Sequence, residues 1–333
     1  MEPLILMTIF ISFFCTYLIV PFWIRKAKQI GLVWEDMNKP KREKNVAGSG
    51  GITVVMGAMI GIFLYIALQT FYFKSATGST ISIKIFAMIS TLLLVSGIGL
   101  IDDLFGWKKG GLSKRSRLIL IFVSAIPLVV INAGQSTVLG IHFGIIYPLL
   151  IIPLGILGAT TVFNFLAGFN GLETSQGIIM LSALAIATYV TGNSWLSVVA
   201  LCIVASLIAF YIFNVNPAKI FPGDVLTYTI GASIAVIAIL GDSEKIALFF
   251  FIPYFIEMVL KLRGKLKKQS FGKPNRDGTL EMPYDKIYGL EHLAIFLLKK
   301  IKPSKKVYEN DVVYLINGFQ LVVIILGFVI FIL

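Results

Sequence analysis

Ten stretches of nearly uninterrupted apolar residues follow one another along this chain, most of them near the length that crosses a bilayer. They cover approximately residues 3–24, 46–69, 83–101, 118–131, 146–165, 175–191, 195–213, 225–240, 245–260 and 312–333. A hydrocarbon core takes about 20 apolar residues of helix. A transmembrane barrel would instead show short segments of alternating polarity. Of 333 residues 57% are hydrophobic and only 14% are charged, against about 25% charged in soluble domains. A soluble fold could not hide that much apolar surface, and disordered chains are poor in such residues. The expected fold is therefore all-α: one polytopic transmembrane domain of about ten helices. The first run lacks a preceding positive segment and a small-residue cleavage site, so it reads as a span and not a removable signal. Cys15 and Cys202 both lie inside apolar runs and support neither a disulfide framework nor a zinc site.

Loop charge sets the expected orientation. With Met1 outside, the inner segments are residues 25–45, 102–117, 166–174, 214–224 and 261–311, which carry 26 of the 29 Lys and Arg. Only Lys74, Lys84 and Lys245 remain outside. This is a strong positive-inside asymmetry, so both termini are expected outside and any chemistry in the cytoplasmic loops. The net charge of +12 is accounted for in this way, with no nucleic acid as partner. The longest inner loop, residues 261–311, contains YGLEHLAIFLLKKI from Tyr288 to Ile301. It reads as an amphipathic helix in the membrane interface or as a solvated connector with a helical cap.

Several polar residues stand where apolar ones would suffice. Asp102 and Asp103 end the third run. Adjacent residues point about 100° apart on a helix, so the two either serve different roles or form an interfacial cap in water. NFLAGFNGLE, from Asn164 to Glu173, sets two Asn and a Glu among small residues. Its amides can ligate a cation or read a base edge, or simply cap a Gly-rich turn. FPGD, from Phe221 to Asp224, precedes an apolar helix that Asp224 could cap. Residues 35–52 interleave Lys and Arg with Asp36, Asn38 and glycines, a composition suited to a loop that holds an anion or to the positive-inside signal alone. Lys114 follows the Asp pair, and Lys273 and Arg276 lie in the last long loop. Together these residues suit a Mg²⁺ ion held by oxygens, a diphosphate and a stacked base. The histidines are only His142 and His292, so histidine is not expected to carry the reaction.

In these segments the chain resembles the polyprenyl-phosphate N-acetylhexosamine-1-phosphate transferases. The likeness spans nearly the whole length: the ten-run layout, the IDD end of the third run, NFLAGFNGLE and FPGD. DMNK (residues 36–39) and LEMPY (residues 280–284) bring it nearest to the eukaryotic and archaeal members that act on dolichyl phosphate. The resemblance implies transfer of N-acetylglucosamine 1-phosphate from a UDP-sugar to a polyprenyl or dolichyl phosphate, with release of UMP. It implies Asn164 and Asp224 as ligands of Mg²⁺, for which Mn²⁺ could substitute. Asn170 would hydrogen-bond uracil, Phe221 would stack on it, and the backbone near Met37 would close the pocket. Glu173 is counted with these substrate-binding residues. Lys114 would contact the diphosphate, and Asp102 and Asp103 would orient or deprotonate the lipid phosphate. Either Lys273 or Arg276 would contact the amino sugar, because the matching stretch FGKPNRDG lacks the histidine that relatives usually carry there. The triple-His motif of the muramoyl-pentapeptide transferases is also absent. Family members are often dimers, which makes a homodimer one expectation. The short outer loops lean toward a prokaryotic, archaeal plasma membrane, with the endoplasmic reticulum as the alternative. The competing class is a transporter, which would place its polar residues near the midplane within repeated halves; the same reaction on a different UDP-amino sugar is the nearer alternative.

Overall fold

The computed structural model describes residues 3–41, 44–74, 78–135, 137–138 and 140–332; Arg42 and Glu43 of the basic segment lie outside them. Its helices are α1 (Pro3–Ile30), α2 (Gly51–Ala67), α3 (Gly78–Lys109), α4 (Lys114–Val123), α5 (Ile126–Val130), α6 (Ile152–Phe163), α7 (Leu172–Val190), α8 (Ser194–Asn214), α9 (Gly223–Leu240), α10 (Glu244–Phe250), α11 (Ile252–Arg263), α12 (Leu290–Ile301) and α13 (Glu309–Phe331). Among the described residues six helices are long and apolar enough to cross a membrane: α1, α2, α3, α8, α9 and α13. The remaining apolar runs are helical too, but three are broken. Residues 118–131 divide into α4 and α5, with Pro127 in the first turn of α5. A π-helical turn, Tyr147–Ile151, leads into α6. Residues 245–260 divide into α10 and α11 ahead of Pro253. Proline lacks the N–H that would continue the preceding helix.

The mainly helical expectation holds, with three two-stranded ribbons added: β1 (Val33–Glu35) with β2 (Lys44–Ala47), β3 (Thr137–Val138) with β4 (Ile141–His142), and β5 (Lys273–Pro274) with β6 (Leu280–Glu281). α7 packs on α8, α3 on α9 and α1 on α2 as antiparallel neighbours, and α1 also packs on α8, running parallel to it, with Thr8 beside Cys202 and Ser12 beside Ser206. Thr8, Ser12 and Thr16, one turn apart on α1, are fully buried. Gly57 and Gly61 of α2 approach them so closely that neither has room for a Cβ. Small residues allow such close helix contact where lipid offers no hydrophobic drive. α9 is buried almost throughout, whereas Leu6, Phe10 and Leu18 of α1 and Ile325 and Val329 of α13 face outward. An apolar exterior around a packed interior suits lipid as the solvent.

Candidate active site

Antiparallel packing gathers the polar helix ends at one end of the bundle, where the chain encloses a cleft of about 650 Å³. The glycines before α2 make the assembly tight. Gly50 and Gly51 donate their amides to the carbonyls of Phe221 and Pro222, each at 2.9 Å, and a Cβ on Gly51 would lie 2.5 Å from the backbone nitrogen of Leu226. These glycines therefore fasten FPGD rather than cradle an anion, which corrects that expectation for their two amides.

Asp102 and Asp103 diverge, as neighbours on a helix must. Asp103 lines the cleft and accepts from the amides of Asp224 (2.8 Å) and Val225 (3.4 Å). Those are N-terminal amides of α9 with no partner in their own helix, so α3 caps α9 in trans. Gly223 permits this: its φ is +70°, and the Asp103 carboxylate fills the space a Cβ would need. Asp102 is 3% exposed and fully engaged. It accepts from the Leu112 amide at 2.7 Å and the Tyr228 hydroxyl at 3.0 Å, and pairs with the Arg117 guanidinium at 2.7 Å. The same hydroxyl lies 3.4 Å from Asp224 Oδ2. Asn164, at the end of α6, accepts from the Thr227 hydroxyl at 2.8 Å. Thr227 follows Asp224 by one turn of α9, so Asn164 and Asp224, 60 residues apart in sequence, meet on one helix face.

The opposite wall is a hydrogen-bonded mesh. Asn170 donates its side-chain amide to Asp36 Oδ2 at 2.9 Å and its backbone N–H to Glu309 at 2.8 Å. Asn38 donates to the Gly168 carbonyl at 2.8 Å, and Lys39 pairs with Glu309 at 2.5 Å. Glu173 accepts from the Gly168 amide at 2.8 Å, which closes the NFLAGFNGLE loop on itself. Met37, Phe221 and Glu173 also line the cleft.

Lys114, Lys273 and Arg276 do not. Lys114 is exposed at the start of α4; one turn on, Arg117 is the base that reaches the acids. The last loop presents Gln269 and Phe271 to the cleft instead. The Phe271 ring packs against Gly168, 2.8 Å from where a Cβ would stand. Gly272 then donates to Asn38 at 3.0 Å, and the ribbon of β5 and β6 carries Lys273 and Arg276 away. Arg276 lines a separate basic cleft with Lys28, Lys41 and Lys219. Arg117 had a sequence signal, one helical turn from Lys114, and Phe271 opens the FGKPNRDG stretch; Gln269 had none.

Among the described residues no group of three or more His, Cys, Asp or Glu could hold a metal by itself. Around the start of α9 the cleft lining brings together two carboxylates and one amide oxygen, those of Asp103, Asp224 and Asn164. All are hard oxygen donors, too few for a cage. Such a set would suit Mg²⁺, a hard cation commonly held by one or two carboxylates together with substrate phosphates.

The profile described as glycosyl transferase family 4 matches residues 85–242. A putative UDP-N-acetylglucosamine–dolichyl-phosphate N-acetylglucosaminephosphotransferase of Saccharolobus solfataricus is 38% identical over 298 residues, covering 87% of this chain and 88% of that protein. The protein of the same description from Sulfolobus acidocaldarius is 31% identical over 332 residues, 98% of this chain and 95% of its own. The Dictyostelium discoideum UDP-N-acetylglucosamine–dolichyl-phosphate N-acetylglucosaminephosphotransferase is 29% identical over 73% of this chain and 68% of its own. With likeness over nearly its full length, the chain belongs to glycosyl transferase family 4, the polyprenyl-phosphate N-acetylhexosamine-1-phosphate transferases.

Proposed function

We propose that the protein transfers N-acetylglucosamine 1-phosphate from UDP-N-acetylglucosamine to a dolichyl-type polyprenyl phosphate, releasing UMP and leaving a lipid diphosphate sugar. The observation that carries this reading is convergence: Asp103, Asn164, Asn170, Phe221 and Asp224, from three separated segments, line one cleft at a bundle end. The two archaeal relatives named for this activity align over 87% and 98% of the chain.

The lipid phosphate is mostly ionised near neutral pH, because a monoester's second pKa is about 6. It therefore needs positioning more than deprotonation. One of its oxygens attacks the sugar-side phosphorus in line, the bond to the bridging oxygen breaks, and UMP leaves with that electron pair. Phe221 stacks on the base and Asn170 reads its edge. Asn164 and Asp224, with Asp103 beside them, would hold Mg²⁺, which supplies charge neutralisation on the diphosphate. Asp103 fixes the start of α9 and hence the direction of the Asp224 carboxylate. Asp102 holds Arg117 beside the acids, where its guanidinium can also meet the incoming lipid phosphate. Gln269 and Phe271 face the position of the amino sugar.

The reading includes ten membrane passages with both termini outside and the cleft on the cytoplasmic side of an archaeal plasma membrane. The 26 of 29 Lys and Arg in the inner segments support it. The segment of residues 261–311 is then a cytoplasmic loop, with α12 at the membrane interface through Phe296, Leu297 and Ile301, all exposed.

The test is an assay of purified protein in detergent with polyprenyl phosphate, Mg²⁺ and a panel of radiolabelled UDP-sugars. UMP and a lipid-linked product are expected with UDP-N-acetylglucosamine and not after chelation of the metal. Absence of UMP with every sugar would sink the reading.

A further inference from the structure

Asn170 stands at the base-reading wall, 4% exposed, and an amide reads opposite hydrogen-bond patterns with its two ends. Which end faces the cleft is decided by its neighbour. The amide nitrogen Nδ2 donates to Asp36 Oδ2 at 2.9 Å. Asp36 is 7% exposed, and its other oxygen accepts from the Asn38 amide at 3.2 Å. Lys39 Nζ stands 4.0 Å from Oδ2, an arrangement suited to an ionised carboxylate. An ionised carboxylate only accepts, so a reversed amide would set two acceptors against each other. Among the described residues no hydrogen bond reaches Asn170 Oδ1. The backbone cannot swing to relieve this pattern. Asn170 N donates to Glu309 Oε1 at 2.8 Å, and Glu309 is itself held by Lys39 at 2.5 Å and Asn38 at 3.4 Å.

We infer that Asp36 determines base specificity: by taking the Asn170 amide N–H₂ it turns the Asn170 carbonyl oxygen into the cleft, where it accepts the N3–H of uracil and rejects cytosine. The inference rests on the nucleotide reading above and adds to it Asp36, which lines the same cleft beside Asn170 and acts on the base by setting the direction of that amide. Uracil carries a donor at N3, whereas cytosine presents an acceptor there. An acceptor facing an acceptor leaves both unpaired in a closed site, and a loss of that kind amounts to about 5- to 150-fold in affinity. Asp36 is thus a positioning residue that acts through Asn170.

The experiment measures dissociation constants of UMP, CMP and N3-methyl-UMP for the full chain in detergent, by calorimetry. The wild type is expected to prefer UMP over both others by about 5- to 150-fold. Asp36→Asn supplies a donor, lets the Asn170 amide turn, and should bring the UMP-to-CMP ratio to near one or invert it. Any loss of charge repulsion toward the phosphate acts on both nucleotides alike and cancels in the ratio. Asp36→Asn combined with Asn170→Asp restores an outward acceptor and should restore the preference for UMP. Wild-type binding of N3-methyl-UMP as tight as that of UMP overturns the inference without any variant. So does an Asp36→Asn protein that weakens both nucleotides equally. No UMP binding by the wild type would instead remove the nucleotide reading itself, and the inference with it.

Discussion

Asp224 shows how one position divides between structure and chemistry. The amides at the start of α9 are taken by Asp103 from another helix, so Asp224 is not needed as a cap. Asp224→Asn keeps the shape and removes only the charge. We expect it to melt within about 2 °C of wild type, since the change conserves volume and leaves the amides of α9 capped by Asp103. Turnover should fall by orders of magnitude, with partial rescue at high Mg²⁺ or Mn²⁺. Wild-type turnover at low Mg²⁺ in a well-folded variant would take the metal out of the argument. Phe221→Ala tests the base platform. Stacking of a base on an aromatic ring is worth about 1–3 kcal/mol, so KM for the UDP-sugar should rise about 5- to 150-fold while that for the lipid stays put. Equal loss toward both substrates would mark Phe221 as packing alone. These residues were legible because their motifs are local: Asn164, Asn170, Phe221 and Asp224 each sit among small residues at the end of an apolar run. The partners of Asp102 were not. Arg117 lies 15 residues away and was signalled only through its neighbour Lys114, and Tyr228 lies 126 residues away, a range over which a linear pattern reports no contact.

At the scale of elements, the last loop is shaped from beneath. Its helix was legible: an amphipathic segment expected from Tyr288 to Ile301 appears as α12, Leu290–Ile301. Its buried face was not. Glu291 and His292 both point inward and are fully buried. The His292 ring faces the backbone of Phe271 and Gln269, and burial first, then nearby Lys261, pulls its pKa down to about 4. It is neutral at pH 7 and has an N–H to donate. Lys261 contacts Ser270, and the Tyr284 hydroxyl accepts from the Gln269 amide at 3.2 Å. That support aims Gln269 and Phe271 at the cleft, whereas linear matching pointed to Lys273 and Arg276. Burial first, then the Glu257 charge, push the Glu291 carboxyl well above the usual carboxylate range. The folded protein therefore holds this proton to higher pH than the unfolded chain does. Folding must then take up a proton, a cost that grows as pH rises above the unfolded value and vanishes as pH falls to it. Glu291→Gln keeps the shape and lacks this cost. The variant should therefore melt above wild type at pH 8, by a few °C, with the gap narrowing at pH 5. His292 titrates in both proteins and cancels. A gap of equal size at the two pH values would contradict the assignment.

At the scale of the whole molecule, packing and charge converge on one orientation. The Lys and Arg excess and the cleft lie at the same helix ends: after α1, α3 and α8 and before α9 and α13. An isoprenoid tail cannot leave the bilayer, so a lipid phosphate waits at a membrane face, and a site that uses it must open there. A charged nucleotide sugar made in the cytoplasm cannot cross the hydrocarbon to meet it elsewhere. These two constraints demand a cleft at span ends on the inner side, the side that the proposed topology gives it. Cysteine labelling decides the matter. In a background with Cys15 and Cys202 replaced, Ser79→Cys and Ser304→Cys introduce single thiols at exposed positions, at opposite ends of the proposed topology. A membrane-impermeant maleimide applied to intact cells should label the first and spare the second, which should react only after permeabilisation. Labelling of Ser304→Cys in intact cells, with Ser79→Cys protected, would invert the protein and put its cleft on the side where no nucleotide sugar is made.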